Sequence, residues 1–404
     1  LYELMETDWD SIHSGKQHLF TEGGKLEDRK NSRTTWCSTE NTYKSFLKEN
    51  GVKMPGGPGF RMRIPEMVNG RVSRVSLYSN ANTGCYEPGE HYYFDCYFAE
   101  KAVEGLRNRD KSTPLLLNAM FLAPHPPLQI PEPWYGAVHS GEFELPDNIG
   151  VFYKKQSPLQ MYNLTGIAGA RYDKEHWQEA WRVYLGLVAM LDDCVGQIID
   201  ELKMQGIYDN SLIVFTSDHG EMLGAHGLFQ KMCMYEEAAK VPLYIKFPKK
   251  DSSLILEPGT VLKEVVSHID VMPTLCDYLQ IRPKHEMDGR SLLPLFVGKT
   301  VEKRAAYIQY DGNGSRSNFQ RCVVKDYYKL IVDMFQQEVF YELYDLEKDP
   351  METANLMFDK TYDQIAADLM GLLAAHMVKN EDMLMFPICS AKKFREAYGQ
   401  FDAP

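Results

Sequence analysis

Side chains that could bind a cation and an anion follow a short apolar run near the middle of the chain. Residues 211–216 are rich in β-branched and aromatic residues and predict a buried strand, after which come Asp218, His219 and Gly220. Asp and His are suitable ligands for a divalent metal, and Lys231 is near enough in sequence to place a positive charge beside them. This arrangement predicts an anion held next to a metal ion.

Three more basic groups have a suitable neighbourhood. Residues 115–122 predict a second strand, and the prolines of residues 123–127 end it, so His125 lies at its carboxyl end. Lys16 and His18 belong to a short Gly-Lys-x-His motif near the start. A lone Lys or His is usually a solvated charge or a structural residue, so the prediction depends on the combination. Open α/β sheets bind their ligands beyond the carboxyl ends of their strands, where these groups are expected to meet.

Composition limits the class of protein. The chain has 404 residues, of which 44% are hydrophobic and 25% charged, and this is typical of a soluble globular protein with one large domain and a smaller one. A net charge of −12 argues against a nucleic-acid partner. No apolar run reaches the roughly 18–20 residues of an integral membrane segment. The eight cysteines form no CxxC pair, which argues against a zinc knuckle. The cytoplasm is only slightly favoured as the location, and both the compartment and the oligomeric state stay open.

The periodicity of the central region predicts an α/β fold. Residues 176–205 have apolar side chains spaced alternately by four and three, as in an amphipathic helix. Strands precede and follow this helix, and residues 241–247 predict another, so a largely parallel sheet with right-handed crossovers is expected. Residues 1–90 show little periodicity and predict long loops laid over a core built elsewhere.

A different pattern begins near residue 300. Residues 327–332 and 338–344 predict short antiparallel strands, and apolar residues between 362 and 376 predict a helix packed on them. The sequence therefore predicts a catalytic α/β domain over residues 1–300 and a smaller C-terminal α+β domain over residues 301–404.

Taken together, the Asp-His step, the proline-flanked His125 and the Gly-Lys-x-His motif resemble the type I, formylglycine-dependent sulfatase family of the alkaline phosphatase superfamily. The resemblance implies an alkaline-phosphatase-like, mostly parallel sheet flanked by helices. Five further segments resemble family motifs in the same chain order: residues 191–202, 231–243, 268–275, 288–294 and 342–356.

This resemblance implies a role for each candidate residue. Asp218 and His219 would be ligands of one divalent cation, usually calcium in this family. Lys16 and Lys231 would hold the sulfate oxygens. Such an arrangement suits sulfuryl transfer, because fixed cations and a metal stabilise the negative charge that spreads over the transferred group.

The histidines have separate implied roles. His18 would support the nucleophile, and His125 would contact the sulfate or protonate the leaving oxygen, which suits the ordinary pKa of His. His226 and Glu236 lie near this group in sequence and are candidates for substrate contact, with packing as the alternative.

Two elements of the family pattern do not occur in this chain. One is the Cys/Ser-x-Pro/Ala-x-Arg motif that supplies the formylglycine nucleophile, and the other is an early Asp-Asp pair of metal ligands. Cys389 begins a partial match without the Arg, and Asp192 and Asp193 lie on the predicted central helix. Both elements precede Gly-Lys-x-His in the family, so we expect that an N-terminal segment with a central strand is missing. The 404-residue chain alone is then expected to bind calcium weakly and not to turn over sulfate esters.

Four functions remain open at this point. The leading one is hydrolysis of a sulfate monoester of a small molecule or carbohydrate. A phosphonate monoester hydrolase or phosphodiesterase would keep nearly the same metal and lysine motifs, whereas a two-zinc phosphatase needs more Asp and His ligands. A non-catalytic scaffold or one piece of a split assembly is the alternative from another class. Pocket selectivity is expected from loops, with four candidate side chains: Trp36, Arg61, Arg63 and Tyr78.

Overall fold

The computed structural model describes all residues except 22–23, 30, 69–70, 252, 300, 313–317, 385–388 and 400–404. Its strands are β1 (Asp10–Gly15), β2 (Phe20–Thr21), β3 (Gly24–Lys25), β4 (Thr35–Ser38), β5 (Arg61–Val68), β6 (Arg71–Ser79), β7 (Thr83–Cys85), β8 (Leu115–Met120), β9 (Leu128–Ile130), β10 (Ile213–Thr216), β11 (Leu243–Lys246), β12 (Ala305–Tyr310), β13 (Asn318–Lys325), β14 (Tyr328–Phe335) and β15 (Glu338–Asp345). Its α-helices are α1 (Tyr2–Met5), α2 (Lys44–Glu49), α3 (Phe94–Asn108), α4 (Trp134–Ser140), α5 (Leu164–Gly169), α6 (Lys174–Met204), α7 (Glu236–Ala239), α8 (Val271–Tyr278), α9 (Leu293–Phe296), α10 (Asp363–Lys379) and α11 (Ala391–Tyr398).

A parallel sheet forms the centre of the first part of the chain. Strand β1 pairs in parallel with β4 on one side and with β8 on the other, and all six of its residues take part in the pairing with β8. Strands β7 and β9 form a further parallel pair. Helix α3 packs on β1 and β8, and α6 packs on α3. The predicted parallel α/β architecture is confirmed.

The prediction that residues 1–90 are only loops over a core formed elsewhere is wrong, because β1 is the buried middle strand of this sheet. The composition of β1 does not predict a buried strand, since Ile12 is its only large apolar residue. Polar side chains of β1 find partners inside the protein. The Tyr2 hydroxyl lies 2.7 Å from His13 Nδ1, and the Ser14 hydroxyl donates to the carbonyl of Phe98 at 2.7 Å. Buried polar groups with such partners are tolerated in a core.

Strand β10, which leads to the Asp-His pair, differs from its prediction in pairing and burial. It pairs with β11 in an antiparallel manner rather than joining the parallel sheet. Phe215 in β10 is 39% exposed and Tyr244 in β11 is 67% exposed, so the predicted burial of β10 is wrong. Among the residues described, no other strand pairs with the second edge of β8 or with the second edge of β10.

Helix α6 begins and ends close to the predicted limits. The Asp173 side chain accepts the backbone N–H of His176 at 2.9 Å and caps the first turn, and Gly206 follows the last turn with a φ of +69°. Its apolar face is buried, with Trp177 and Leu187 fully covered. No helix in the described part of the chain is both long enough and apolar enough to cross a lipid bilayer.

The C-terminal part is an antiparallel meander, with strand order β12-β13-β14-β15. Helix α10 packs on β13 and β14, burying Leu330, Leu343 and Leu369 in one cluster. The predicted antiparallel sheet and helix are confirmed, and β12 and β13 add two strands that were not predicted. The domain boundary at residue 300 remains a prediction.

Candidate functional site

The carboxyl ends of three strands bring the predicted basic and acidic groups together. Lys16 follows β1, His125 follows β8, and Asp218 and His219 follow β10. Lys16 Nζ lies 3.6 Å from Asp218 Oδ2, and the rings of His125 and His219 have centroids 6.0 Å apart. Lys231 Nζ lies 2.9 Å from His125 Nε2. These five side chains form one continuous group, which we call the cation cluster.

His18 lies at the margin of the cation cluster. Its side chain is exposed, and partial burial together with the charge of Lys16 lowers its pKa, while Asp218 acts in the opposite direction. His18 is therefore within electrostatic reach of both groups.

A close approach of two strands positions Lys16. The Lys16 backbone N–H donates to the Met120 carbonyl at 2.7 Å, and a Cβ atom on Gly15 would lie 1.9 Å from that same oxygen. Gly15 also has a φ of +129°, which other residues rarely adopt. Only glycine therefore allows the ends of β1 and β8 to meet in this way.

A second close approach fixes the turn after the Asp-His pair. The Gly220 N–H donates to the Ala238 carbonyl at 2.9 Å, and a Cβ at Gly220 would lie 1.9 Å from the Glu237 carbonyl oxygen. The Glu221 carboxylate then accepts the backbone N–H groups of Leu223 and Gln230. Because Gln230 immediately precedes Lys231, Glu221 connects the Asp-His turn to the lysine segment.

Hydrogen bonding and burial keep His125 neutral. Its Nδ1–H donates to the Pro126 carbonyl at 2.7 Å, so Nε2 accepts from the Lys231 ammonium group. Burial, and next the charge of Lys231, lower the pKa of His125 to about 4. Burial also lowers the pKa of Lys231, against the opposing influence of Glu221. The charge of Lys16 lowers it as well, and a bound anion would relieve the repulsion between the two lysines.

Asp218 and His219 satisfy the geometry expected of two ligands of one cation. Asp218 Oδ2 and His219 Nε2 lie 3.6 Å apart, close to the roughly 3.3–3.7 Å between neighbouring ligands that bind a calcium-sized ion at right angles. His219 Nδ1–H donates to the Gly220 carbonyl at 2.7 Å, which leaves Nε2 available. The Asp218 side chain is 68% exposed. Partial burial opposes its ionisation, but His219, Lys16 and Lys231 outweigh this effect and lower its pKa.

His226 and Glu236 lie in a second, buried cluster rather than among the cation-cluster contacts. His226 stacks on Tyr235, with ring centroids 3.9 Å apart, and lies 3.1 Å from the Met351 carbonyl through Nε2. Glu236 Oε1 lies 2.7 Å from Lys329 Nζ. These contacts are those of packing residues, which was the alternative for both.

The second cluster contains one group of potential metal ligands, formed by His226, Glu237 and Glu352. Lys329 is fully buried there, and its Nζ lies 2.9 Å from Glu352 Oε1 and 2.9 Å from the Met234 carbonyl. The lysine already supplies the positive charge that the buried carboxylate requires. Lys329 therefore competes with any metal ion for these carboxylates.

Two positioning residues were missed by the sequence analysis. The Asp95 carboxylate in α3 accepts the backbone N–H groups of Leu122 at 2.6 Å and Ala123 at 2.9 Å, just before His125. Asp95 is completely buried, and burial raises its pKa to about 7 despite these bonds. Glu221 is the other, and burial raises its pKa to about 7 as well. A lone carboxylate within the aromatic run of residues 92–98 was the available signal for Asp95.

Comparison with protein families gives two matches. A model described as Sulfatase matches residues 24–281, and one described as N-sulphoglucosamine sulphohydrolase, C-terminal, matches residues 224–379. The first covers more than half of the chain and includes His125, Asp218 and Lys231. Lys16 and His18 precede it.

Curated relatives carry the same kind of description. The multifunctional alkaline phosphatase superfamily protein PehA of Trinickia caryophylli is 29% identical over 67% of this chain. An arylsulfatase of Clostridium perfringens is 28% identical over 74% of it. The matched regions cover 57% and 62% of those two proteins, so the chain spans less than two thirds of either.

Solved structures show the same fold at low sequence identity. A protein in complex with its substrate D-glucosamine-2-N,6-O-disulfate has a TM-score of 0.67 and is 20% identical, with 94% of this chain and 82% of that chain covered. The phosphonate monoester hydrolase of Agrobacterium radiobacter has a TM-score of 0.68 at 20% identity, covering 92% of this chain and 78% of that one. The chain therefore shares the fold of these two solved structures. With a family model that extends over most of the α/β part, the chain belongs to the sulfatase family.

Proposed function

We propose that the protein hydrolyses sulfate monoesters and that the cation cluster binds the sulfate group. The observation that carries this proposal is the convergence of Lys16, Lys231 and His125 beside the Asp218-His219 pair. Fixed positive charges and N–H donors stabilise the charge that develops on the transferred group. His125, neutral in the free protein, contacts the sulfate, and a proton reaches the leaving oxygen from the Lys231–His125 pair.

The same pair of ligands is proposed to hold one divalent cation, calcium. Asp218 would contribute a carboxylate oxygen and His219 its Nε2 atom. A bound calcium ion would polarise the sulfate oxygens and offset negative charge at the reacting group. Sulfated sugars are the proposed substrate class, supported by the sulphohydrolase family match and by the N-acetylglucosamine-6-O-sulfatase of Bacteroides thetaiotaomicron, which is 32% identical over 49% of this chain.

Binding of inorganic sulfate to the 404-residue chain tests the proposed site directly. Sulfate should perturb the imidazole resonances of His125 and His219, and Lys231→Ala should weaken the apparent affinity at least ~10-fold, because a charge-assisted contact is lost. Lys249→Ala is the matched control, since Lys249 is an exposed lysine that pairs with Asp209. Sulfate binding that Lys231→Ala leaves unchanged would show that the cation cluster is not the sulfate site.

Turnover distinguishes the two reactions that the fold permits. A phosphonate monoester hydrolase shares the fold, and this likeness supports the second candidate. The protein as its source cell makes it should be assayed with an aryl sulfate and with an aryl phosphonate monoester in the presence of calcium. A higher kcat/KM for the sulfate supports sulfatase activity, and a higher kcat/KM for the phosphonate would replace it with the second candidate.

A further inference from the structure

Two cysteines from different helices meet beneath the candidate site. Cys96 lies in the first turns of α3 and Cys194 in the middle of α6, and their Sγ atoms are 4.0 Å apart. Cys194 is 1% exposed and Cys96 is half-buried. All eight cysteines belong to the described residues and are free thiols, and no other two of them contact each other through sulfur.

Packing between α3 and α6 holds the two sulfur atoms in place. Farther along the same helix pair, Arg107 forms an ion pair with Glu201 at 2.9 Å, and Gln205 Nε2 donates to the Leu106 carbonyl at 3.0 Å. A disulfide needs an S–S distance of about 2.05 Å, so each sulfur must move by about 1 Å. Rotation of the two Cys side chains is the movement that would bring the sulfur atoms together.

We propose that Cys96 and Cys194 form a disulfide that joins α3 to α6 when a disulfide oxidant such as oxidised glutathione is present. The half-buried Cys96 thiolate attacks the oxidant, which forms a mixed disulfide and releases one glutathione thiolate. The Cys194 thiolate then attacks Cys96 Sγ, and the second glutathione thiolate leaves. Overall, the two cysteine thiols lose two protons and two electrons, and the oxidant is reduced to two thiols.

Oxidation of the two thiols is expected to be slow at neutral pH. The hydrogen bond with the Cys194 thiol and burial both raise the pKa of the Cys96 thiol. Little of the reactive thiolate is therefore present at neutral pH. Cross-linking is expected to be slow in the folded protein at pH 7 and faster at higher pH, or to take place while the chain folds.

The cross-link would act on the residue that positions His125. Asp95 is adjacent to Cys96 and holds the backbone N–H groups of Leu122 and Ala123. The cysteines are 98 positions apart in sequence, so the covalent loop includes β8, β9 and the His125 segment. The inference does not depend on the proposed function, because it concerns only the two thiols and the helices that carry them.

Peptide mapping of the 404-residue chain tests the inference. Reduced protein is incubated with oxidised glutathione at pH 8, or refolded in the same buffer, then alkylated without reduction and digested. The chain should lose two of its eight thiols, and mass spectrometry should find the Cys96 and Cys194 peptides linked. The melting temperature should rise by roughly 5 °C, since a long loop is closed in the unfolded state.

Variants make the outcome specific. Cys96→Ser and Cys194→Ser should each abolish the linked peptide and the rise in melting temperature, whereas Cys276→Ser, at a buried cysteine without a thiol partner, should preserve both. The inference is overturned if both cysteines are alkylated after native oxidation and after refolding. It is equally overturned if Cys96 carries glutathione while Cys194 remains a free thiol.

Discussion

At the scale of single residues, Asp95 shows how a buried carboxylate can fix a functional side chain that it does not contact. Its two oxygens accept the N–H groups of Leu122 and Ala123, and His125 follows within two residues of Ala123. The backbone of that turn is therefore held from α3, the helix beneath it. We regard Asp95 as a positioning residue for His125.

The Asp95→Asn substitution should disturb both stability and His125. One amide NH2 group would face a backbone N–H donor, so the loss in unfolding free energy is expected to be about 2–4 kcal/mol. The imidazole resonances of His125 should shift, as measured by NMR of histidine-labelled protein. Asp333→Asn is the matched control, since Asp333 is equally buried and accepts from Ser157 and Asn318 in the C-terminal part. Unchanged His125 resonances in Asp95→Asn would exclude the positioning role.

Local sequence identified the residues of the cation cluster but not those that position them. The Asp-His step, His125 and the Gly-Lys-x-His motif each lie at the carboxyl end of a strand or close after it. Ligand-binding residues of open α/β sheets are expected at that position. Asp95 acts through backbone groups of a distant segment, and no local pattern predicts such a pairing. His226 and Glu236 were selected because they are near in sequence, yet the chain turns at Gly220 and carries them into a separate buried cluster.

At the scale of elements, α6 was predictable and β1 was not. The four-and-three spacing of α6 follows directly from helical geometry, because its apolar side chains must share one face. Strand β1 has a single large apolar residue and is buried through hydrogen bonds of His13, Ser14 and Ser11 instead. The strand character of β8 and β10 was clear from composition, whereas their pairing partners depend on distant parts of the chain.

Two glycines in α6 give opposite predictions for the same substitution. A Cβ at Gly186 would lie 2.8 Å from Ile130 Cδ1 and 2.9 Å from Val138 Cγ1, whereas a Cβ at Gly196 meets no atom within 4 Å. Gly186→Ala should therefore lower the unfolding free energy by about 1–3 kcal/mol through overpacking. Gly196→Ala should raise it by about 0.5–1 kcal/mol, because alanine favours the helix. Urea denaturation of both variants measures the two signs, and equal effects would contradict this packing of α6.

At the scale of the whole molecule, buried carboxylates connect the C-terminal sheet to the rest of the protein. Glu342 in β15 accepts hydrogen bonds from the hydroxyls of Tyr235 and Tyr344, and from the N–H of Ser157 at 3.1 Å. Burial raises the pKa of Glu342 from 4.5 to about 8. The junction is therefore held by a carboxyl group that carries a proton at neutral pH. Local sequence could not indicate this junction, since Ser157 and Tyr235 lie 185 and 107 positions from Glu342.

Removal of this titration should change the pH dependence of stability. Folded protein holds a proton on Glu342 up to about pH 8, whereas the unfolded chain releases it near pH 4.5. The contribution of this proton to the unfolding free energy is thus complete below pH 4.5. It is lost as pH rises to 8, at roughly 1.4 kcal/mol per pH unit. Relative to wild type, Glu342→Gln should gain roughly 3–4 kcal/mol of unfolding free energy between pH 5 and pH 8. Glu338→Gln, at the exposed start of β15, should follow wild type, and parallel curves for all three proteins would refute the assignment.

In the part of the chain that the structure describes, one edge of β8 and one edge of β10 pair with no other strand. An edge of this kind presents a row of backbone amide and carbonyl groups. An extended peptide that reaches such an edge gains backbone hydrogen bonds and covers apolar side chains at once. In a concentrated solution of the 404-residue chain, the nearest peptide belongs to another copy. Light scattering should therefore rise steeply with protein concentration, accompanied by added β-sheet signal, and scattering that stays proportional to concentration would contradict this. The strands whose carboxyl ends carry the candidate catalytic groups would then also be those whose edges begin the aggregation.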